Sequence, residues 1–232
     1  MKLSIIIPVY NEKNTIKEIL SAIEAVSLRD IEKEIIVIDD CSTDGTGEIL
    51  KEIKKTKKYK IIYQAVNKGK GFAVREGFRA ASGDVAIIQD ADLEYDPRDY
   101  EAMLLPIISG KADAVFGSRF MGSSAHRVLF FWHYAGNKFL TALSNIFTNL
   151  NLSDMEACYK AFSKEAIKKI LPDLTSERFG IEVELVARAA RHKLRIYEVG
   201  ISYSGRTYEE GKKINWKDGL AAIWHIIRFN LF

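Results

Sequence analysis

The first half of the chain alternates short apolar runs with stretches of helical periodicity. Apolar runs typical of buried strands lie at residues 3–10, 34–40, 60–65, 85–89 and 112–117. Between the first two runs, Ile16, Ile19 and Ile23 recur at the spacing of one helix face, and residues 69–81 and 97–109 are also predicted to be helical. Repeated strand–helix units of this kind predict an α/β fold with a mainly parallel sheet flanked by helices.

The second half of the chain breaks this rhythm. One helix carries an apolar stripe at Phe139, Leu140, Leu143, Ile146, Phe147 and Leu150. Further helices are predicted at 164–171, 181–192 and 217–229, a strand at 195–203 and a polar loop at 205–213, whereas residues 154–162 show no clear period. Because no linker or internal repeat interrupts the sequence, we expect one domain over residues 1–232 with a C-terminal elaboration of helices and strand.

Composition excludes several classes of protein. The chain is 47% hydrophobic and 28% charged, which is typical of a globular domain rather than a disordered one. A net charge of +3 gives no reason to expect a nucleic-acid partner, and two distant cysteines do not predict a disulfide framework or a zinc site. The apolar N-terminus is too short for a signal peptide, so we expect a cytoplasmic chain, with attachment to the cytoplasmic membrane face left open.

The strongest chemical signal follows the fourth apolar run. Asp90, Asp92 and Glu94 alternate along an extended segment, so their carboxylates point the same way. Like charges this close repel one another unless a cation neutralises them, and hard divalent cations prefer such oxygen ligands. Solvated acids in a surface turn are the alternative, but the position at the end of a buried strand favours a metal site.

Other polar residues follow the neighbouring runs, and the carboxyl ends of parallel strands meet at one edge of a sheet. Asp39 and Asp40 end the second run and offer acceptors for a base or a ribose, although acids at a helix start are an alternative. Tyr10 follows the first run, where it could stack on a base or cover the core. Lys70 lies in a glycine-rich helix start, an arrangement compatible with an anion.

These motifs together resemble glycosyltransferase family 2, the inverting enzymes with a Rossmann-like GT-A fold. The matching blocks, in order along the chain, are IIIPVYNE (5–12), VIDDCSTDGT (37–46), NKGKGFAVREG (67–77), QDADLEYDP (89–97) and GSR (117–119). Later blocks, such as DMEACYKAF (154–162) and FGIEVE (179–184), resemble the dolichyl- or polyprenyl-phosphate hexose synthases within the family. The resemblance implies a nucleotide-sugar-binding half at 1–120 and an acceptor-binding half at 121–232.

The resemblance also implies roles for individual residues. Pro8, Tyr10, Glu12, Lys70 and an acid of the Asp39–Asp40 pair would bind the donor. Mg²⁺ or Mn²⁺ would be held by Asp90, Asp92 and Glu94. Arg119 and Arg206 would bind an acceptor phosphate, and the catalytic candidates are Asp92, Arg119 and Asp154. Asp154 or Glu156 lies where relatives place a general base, but Asp154 would instead orient Arg119 or Lys160 if the acceptor were a phosphate.

The function that the resemblance implies is transfer of a hexose from a GDP-mannose- or UDP-glucose-type donor to a polyprenyl or dolichyl phosphate. Two alternatives stay open: a family 2 enzyme forming an O-glycosidic bond to a soluble or polysaccharide acceptor, and a non-catalytic nucleotide-sugar-binding module. Apolar segments at 128–132, 139–150 and 221–232 are candidates for a peripheral membrane surface. A homodimer contact or the protein core would explain the same segments.

Overall fold

The computed structural model describes residues 1–122, 127–128, 130–207, 209 and 216–231. The described residues do not include His126, Leu129 or Phe232. They also leave out residues 208 and 210–213 of the predicted loop, and thus Lys212 and Lys213. The strands are β1 (Lys2–Val9), β2 (Glu32–Asp39), β3 (Lys60–Tyr63), β4 (Val85–Ile88), β5 (Ala114–Ser118), β6 (Lys160–Ser163) and β7 (Ile196–Gly200). The α-helices are α1 (Ile16–Ala25), α2 (Thr46–Thr56), α3 (Lys70–Ala80), α4 (Tyr100–Ile108), α5 (Phe131–Thr148), α6 (Lys164–Ile170), α7 (Ile181–Arg191) and α8 (Trp216–Leu231).

The strands form one seven-stranded sheet in the order β3-β2-β1-β4-β6-β5-β7. Strand β6 runs antiparallel to β4 and β5, and the other neighbouring strands are parallel. This arrangement confirms the prediction of a mainly parallel sheet flanked by helices. Since β6 and β7 come from the second half of the chain, that half completes the sheet that the first half begins.

Helices cover both faces of the sheet, which explains the continuous apolar runs of the central strands. Successive side chains of a strand point to opposite faces. On β1, Ile5 and Ile7 pack with α1 and α4 on one face, whereas Ile6 packs with α3 and α7 on the other. All three side chains are fully buried, so polar residues accumulate at the strand ends instead.

Strand β6 overlaps the end of residues 154–162, the segment whose hydrophobic pattern shows no clear period. It begins at Lys160, whose side chain is fully buried. The ammonium group donates hydrogen bonds to the main-chain carbonyls of Met155, at 2.9 Å, and of Ala157. A lysine in a buried strand needs such partners, because an unpaired buried charge is costly.

The predicted apolar stripe lies on α5 except for Leu150, because the helix ends at Thr148 and Asn149 adopts a left-handed conformation. The residues of the stripe differ widely in exposure. Leu140 is buried against the core, whereas Phe139 and Ile146 are 59% and 77% exposed. Among the described residues, no helix is both long and apolar enough to cross a bilayer.

Candidate active site

The carboxyl ends of the central strands open into one cavity of about 1310 Å³. Its wall includes the predicted site residues Pro8, Tyr10, Glu12, Asp40, Lys70, Asp90, Asp92, Glu94, Arg119 and Arg206. Asp39 and Asp154 are buried next to this wall rather than being part of it. Residues that are far apart in the sequence therefore meet at one edge of the sheet, as the parallel topology predicts.

The two acids that end β2 have different surroundings. Asp40 accepts hydrogen bonds from the main-chain N–H groups of Lys68 at 2.8 Å and Gly69 at 2.7 Å. Asp39 accepts one from the N–H of Ser42 at 3.1 Å. Asp40 is thus the member of the pair at the cavity wall, where it also fixes the loop that leads into α3.

That loop approaches the second half of the chain closely. Gly69 has a φ of +93°, and a Cβ atom there would lie 2.6 Å from the carbonyl oxygen of Glu177. A residue with a side chain would be strained in this conformation and would also collide with the neighbouring backbone. The glycine therefore lets the start of α3 pack against the segment before α7.

Lys70 is held between two acids at the start of α3. Its Nζ lies 2.7 Å from an oxygen of Asp90 and 3.0 Å from one of Glu182, at the start of α7. Burial alone would lower the pKa of Lys70, but Asp90, Cys158 and Glu182 raise it well above the ordinary value. The predicted anion-binding lysine is therefore a permanently charged partner of Asp90. Glu182 was not among the predicted site residues, although it lies in the FGIEVE block that carries part of the resemblance.

Arg206 lies among three acids from the first half of the chain. Its Nη2 is 3.1 Å from Asp92, its Nε 3.4 Å from Glu94 and its Nη1 3.8 Å from Glu12. The main-chain N–H of Arg206 also donates to Glu94 at 3.0 Å. These contacts tie the segment after β7 to the acidic end of the cavity.

The acids at this end fit a divalent cation chemically. Burial is the largest cause that raises the pKa of Asp92 to about 7, followed by the charges of Asp90 and Glu94. A cation bound between Asp90 and Asp92 would relieve that repulsion, and Mg²⁺ commonly uses one or two carboxylates together with phosphate oxygens. Within the described part of the chain, however, no three acidic, histidine or cysteine side chains converge as a ready-made metal site. The segment predicted to be extended is a turn in which Leu93 has a φ of +64°, so the three carboxylates do not point the same way. Glu94 is directed towards Arg206 and Tyr203.

Arg119, directly after β5, forms a bidentate pair with Asp154. Its Nε and Nη2 donate to the two carboxylate oxygens at 2.7 and 2.8 Å, and its main-chain N–H donates at 3.0 Å. Burial opposes the ionisation of Asp154, but the charge of Arg119 outweighs it and lowers the pKa of that carboxyl. Of the two roles left open for Asp154, the geometry favours orienting Arg119 over acting as a base.

Glu198, which was not a predicted site residue, supports this pair through the backbone that carries Asp154. Glu198, on β7, accepts hydrogen bonds from the main-chain N–H groups of Ser153 at 2.9 Å and Asp154 at 3.1 Å. Its position within an alternating strand gave no signal of this role.

The other end of the cavity is lined by apolar side chains from α5 and its approach. Phe130, Phe131 and Trp132 contribute to the wall, and Phe131 and Trp132 are 67% and 81% exposed. Helix α8 adds Ala221, Ala222 and His225. The cavity thus joins an acidic end, a central arginine and an open aromatic end.

Comparison with known proteins gives one family. The sequence model described as glycosyl transferase family 2 matches residues 4–171. The dolichol-phosphate mannosyltransferase of Pyrococcus furiosus is 39% identical over 52% of this chain and 34% of its own length. The UDP-N-acetylglucosamine–dolichyl-phosphate N-acetylglucosaminyltransferase of Methanococcus voltae is 26% identical over 98% of this chain and 95% of its own.

A solved structure shares the fold. Glucosyl-3-phosphoglycerate synthase from Mycobacterium tuberculosis, in complex with Mn²⁺, UDP and glucosyl-3-phosphoglycerate, superposes with a TM-score of 0.74. The alignment covers 99% of this chain and 80% of that one at 19% sequence identity. At that identity the likeness concerns the fold.

Proposed function

The chain belongs to glycosyl transferase family 2 and has its GT-A fold, and we propose that it transfers a hexose from a nucleotide-sugar to a polyprenyl or dolichyl phosphate, with inversion at the anomeric carbon. One observation carries the proposal: a single cavity joins acids suited to a metal–diphosphate, an oriented arginine and exposed aromatic side chains. The names of the Pyrococcus and Methanococcus relatives support the same acceptor class.

In this proposal the first half, residues 1–120, binds the nucleotide-sugar. Pro8, Tyr10 and Asp40 line the part of the wall that receives the nucleoside, with Asp39 fixing the turn behind it. Lys70 keeps Asp90 in place through its 2.7 Å contact.

Asp90 and Asp92 would hold Mg²⁺ or Mn²⁺, with Glu94 close by. Such an ion supplies charge neutralisation for the leaving nucleoside diphosphate. The Mycobacterium structure, which holds Mn²⁺ and UDP on the same fold, is consistent with this use. The guanidinium of Arg206 already contacts Asp92 and Glu94. Its positive charge therefore lies close to where the donor diphosphate would bind.

The second half, residues 121–232, would bind the acceptor together with Arg119 at the junction. Asp154 accepts from the Nε and Nη2 of Arg119, so the guanidinium is oriented and keeps further N–H donors for a phosphate. A phosphate monoester is largely dianionic near neutrality and needs no general base. The pairing of Asp154 with Arg119 is therefore compatible with such a nucleophile attacking the anomeric carbon in line with the departing diphosphate.

The exposed aromatic side chains at the other end suit the lipid part of the acceptor. Side chains such as Trp132 and Phe131 would insert among lipids at a membrane surface, and α8 would lie beside them. A homodimer that covers the same surface stays a prediction.

A donor screen tests this function. Release of nucleoside diphosphate is measured from GDP-mannose, UDP-glucose and UDP-N-acetylglucosamine with Mg²⁺ or Mn²⁺, in detergent micelles with polyprenyl phosphate or with polyprenol. We expect one donor to be turned over at a rate that requires both the metal and the phosphate. Equal release with polyprenol would contradict the proposed acceptor.

A further inference from the structure

Glu156 is the unusual acid of the cavity. It lies in the loop between α5 and β6, and it lines the cavity wall. Its Oε1 is shielded from solvent and has no hydrogen-bond partner, and among the described carboxylates it is the one with such an oxygen. A buried acceptor without a partner is energetically costly, so the arrangement requires an explanation.

The surrounding loop is held so that Glu156 stays at the wall. Lys160 donates to the main-chain carbonyls on either side of it, those of Met155 and Ala157. The N–H of Met155 donates to Thr141 Oγ1 at 3.1 Å. The backbone is therefore anchored at both neighbours of Glu156, and its side chain lies at the cavity as a consequence of the fold.

The other cavity acid beside it, Glu182, differs from Glu156 because its carboxylate has polar partners. It lies 3.0 Å from Lys70 Nζ and accepts a hydrogen bond from the thiol of Cys158 at 3.2 Å. Burial, and then the charge of Glu182, raise the pKa of Glu156 to about 7. An anionic ligand would increase this repulsion, whereas a neutral hydroxyl donor would satisfy the oxygen without adding charge.

We propose that Glu156 binds a hydroxyl group of the donor's hexose and thereby helps to select the sugar. This inference rests on the proposed function for the presence of a nucleotide-sugar, but not for the identity of the acceptor. The hexose is the neutral, hydroxyl-rich part of that donor. Glu156 lines the same cavity as Arg119 and as the proposed metal ligands Asp90 and Asp92.

Calorimetric binding separates this role from others. Wild type, Glu156→Ala and Glu156→Gln are titrated with UDP, GDP, UDP-glucose, GDP-mannose and UDP-N-acetylglucosamine in the presence of Mn²⁺. We expect Glu156→Ala to weaken binding of the preferred nucleotide-sugar about ten- to a hundredfold and to leave nucleoside diphosphate binding unchanged. Glu156→Gln, which keeps an acceptor oxygen, should lose less.

The matched control is Glu165→Gln, which removes an exposed carboxylate from α6 and should change neither affinity. A nucleotide-sugar lacking the contacted hydroxyl should bind wild type and Glu156→Ala equally. Melting curves of each variant show whether it is folded before it is titrated.

Three results would overturn the inference. An equal loss of nucleoside diphosphate and nucleotide-sugar affinity would place Glu156 elsewhere in the donor site. Unchanged affinities with a slower kcat for transfer would make it a general base instead. If wild type binds nucleoside diphosphates but no nucleotide-sugar more tightly, the inference also fails. If Glu156-dependent sugar binding persists while polyprenyl phosphate is not used, only the proposed acceptor fails.

Discussion

The acidic and aromatic ends of the cavity are built in opposite ways. At the acidic end, charged side chains such as Lys70 and Arg206 are largely buried and paired with acids. At the aromatic end, large apolar side chains such as Trp132 stand in solvent. A paired, buried polar site costs free energy to build and is suited to a charged ligand, whereas an exposed apolar surface is suited to an apolar partner. We infer that this one cavity is suited to two chemically unlike ligands.

The largest effect is expected at the acidic end. Asp92→Asn should lower transfer by at least about a hundredfold, because stabilisation of the leaving diphosphate by a metal is worth several kcal/mol. Steady-state nucleotide release measures it. Glu94→Gln should cost less, since Glu94 is turned towards Arg206. Full turnover of the wild type in excess EDTA would show that the acids do not serve a metal. The acidic end would then not be a metal–diphosphate site.

The Arg119–Asp154 pair joins the two ends, and breaking it should come next in size. Removal of one partner of a buried ion pair typically costs about 3–5 kcal/mol of stability, so Asp154→Asn and Arg119→Ala should both lower the melting temperature. For a lipid-phosphate acceptor, both variants should raise the KM for that acceptor. Donor hydrolysis without acceptor should be spared.

The same two variants distinguish the alternative acceptor. If the acceptor were a sugar hydroxyl and Asp154 its base, Asp154→Asn would lower kcat by about 10²–10⁴-fold. In that case Arg119→Ala would affect transfer little.

A smaller effect concerns pH and stability. The folded-state pKa of Glu156, about 7, lies above the ordinary value of 4.5. The stability that its protonated form contributes is therefore fully present below about pH 4.5 and is lost by the time the pH exceeds about 7. Glu156→Gln removes this titration, so its stability relative to wild type should improve by up to about 3 kcal/mol between pH 4.5 and pH 8. A pH-independent difference in urea unfolding would contradict the buried, ionisable state of Glu156.

The smallest effect is expected at the aromatic end. Trp132→Ala should leave the melting temperature and donor binding unchanged, because the side chain is 81% exposed. It should weaken binding to vesicles that contain polyprenyl phosphate about tenfold, the loss expected for an apolar side chain that no longer inserts. The matched control is Leu105→Ala, which removes a 62% exposed side chain from α4. Vesicle flotation measures this binding. If both variants floated with the vesicles to the same extent as wild type, the aromatic end would not face a membrane.

Much of the fold could be predicted because its strands are buried on both faces. The apolar run of β1 requires helices on each side, and Ile5 and Ile6 indeed face different clusters. Strand β6 was missed because it begins with Lys160, whose charge is satisfied by carbonyls that no sequence pattern identifies. Its antiparallel insertion between β4 and β5 is a property of the tertiary fold.

The part of the candidate site that could be predicted from the sequence is the part that the parallel strand topology alone brings together. Acids at the ends of β2 and β4 meet because parallel strands end at one edge of the sheet. The position of Arg206 beside Asp92, 114 residues earlier in the chain, depends on how the segment after β7 folds back. Similarly, the sequence left open whether Asp154 was a base or a partner of Arg119, because only the three-dimensional pairing distinguishes these roles.

Transfer of labelled sugar to a lipid phosphate is the direct test of the proposed function. The chain is incubated with tritium-labelled donor, a divalent cation and polyprenyl phosphate, and the label is partitioned between water and organic solvent. We expect label to enter the organic phase as a sugar-phosphate lipid, and this transfer should require the cation, the phosphate group of the lipid and an intact Asp92. Label that stays in the aqueous phase while the same chain glycosylates a soluble acceptor would contradict it.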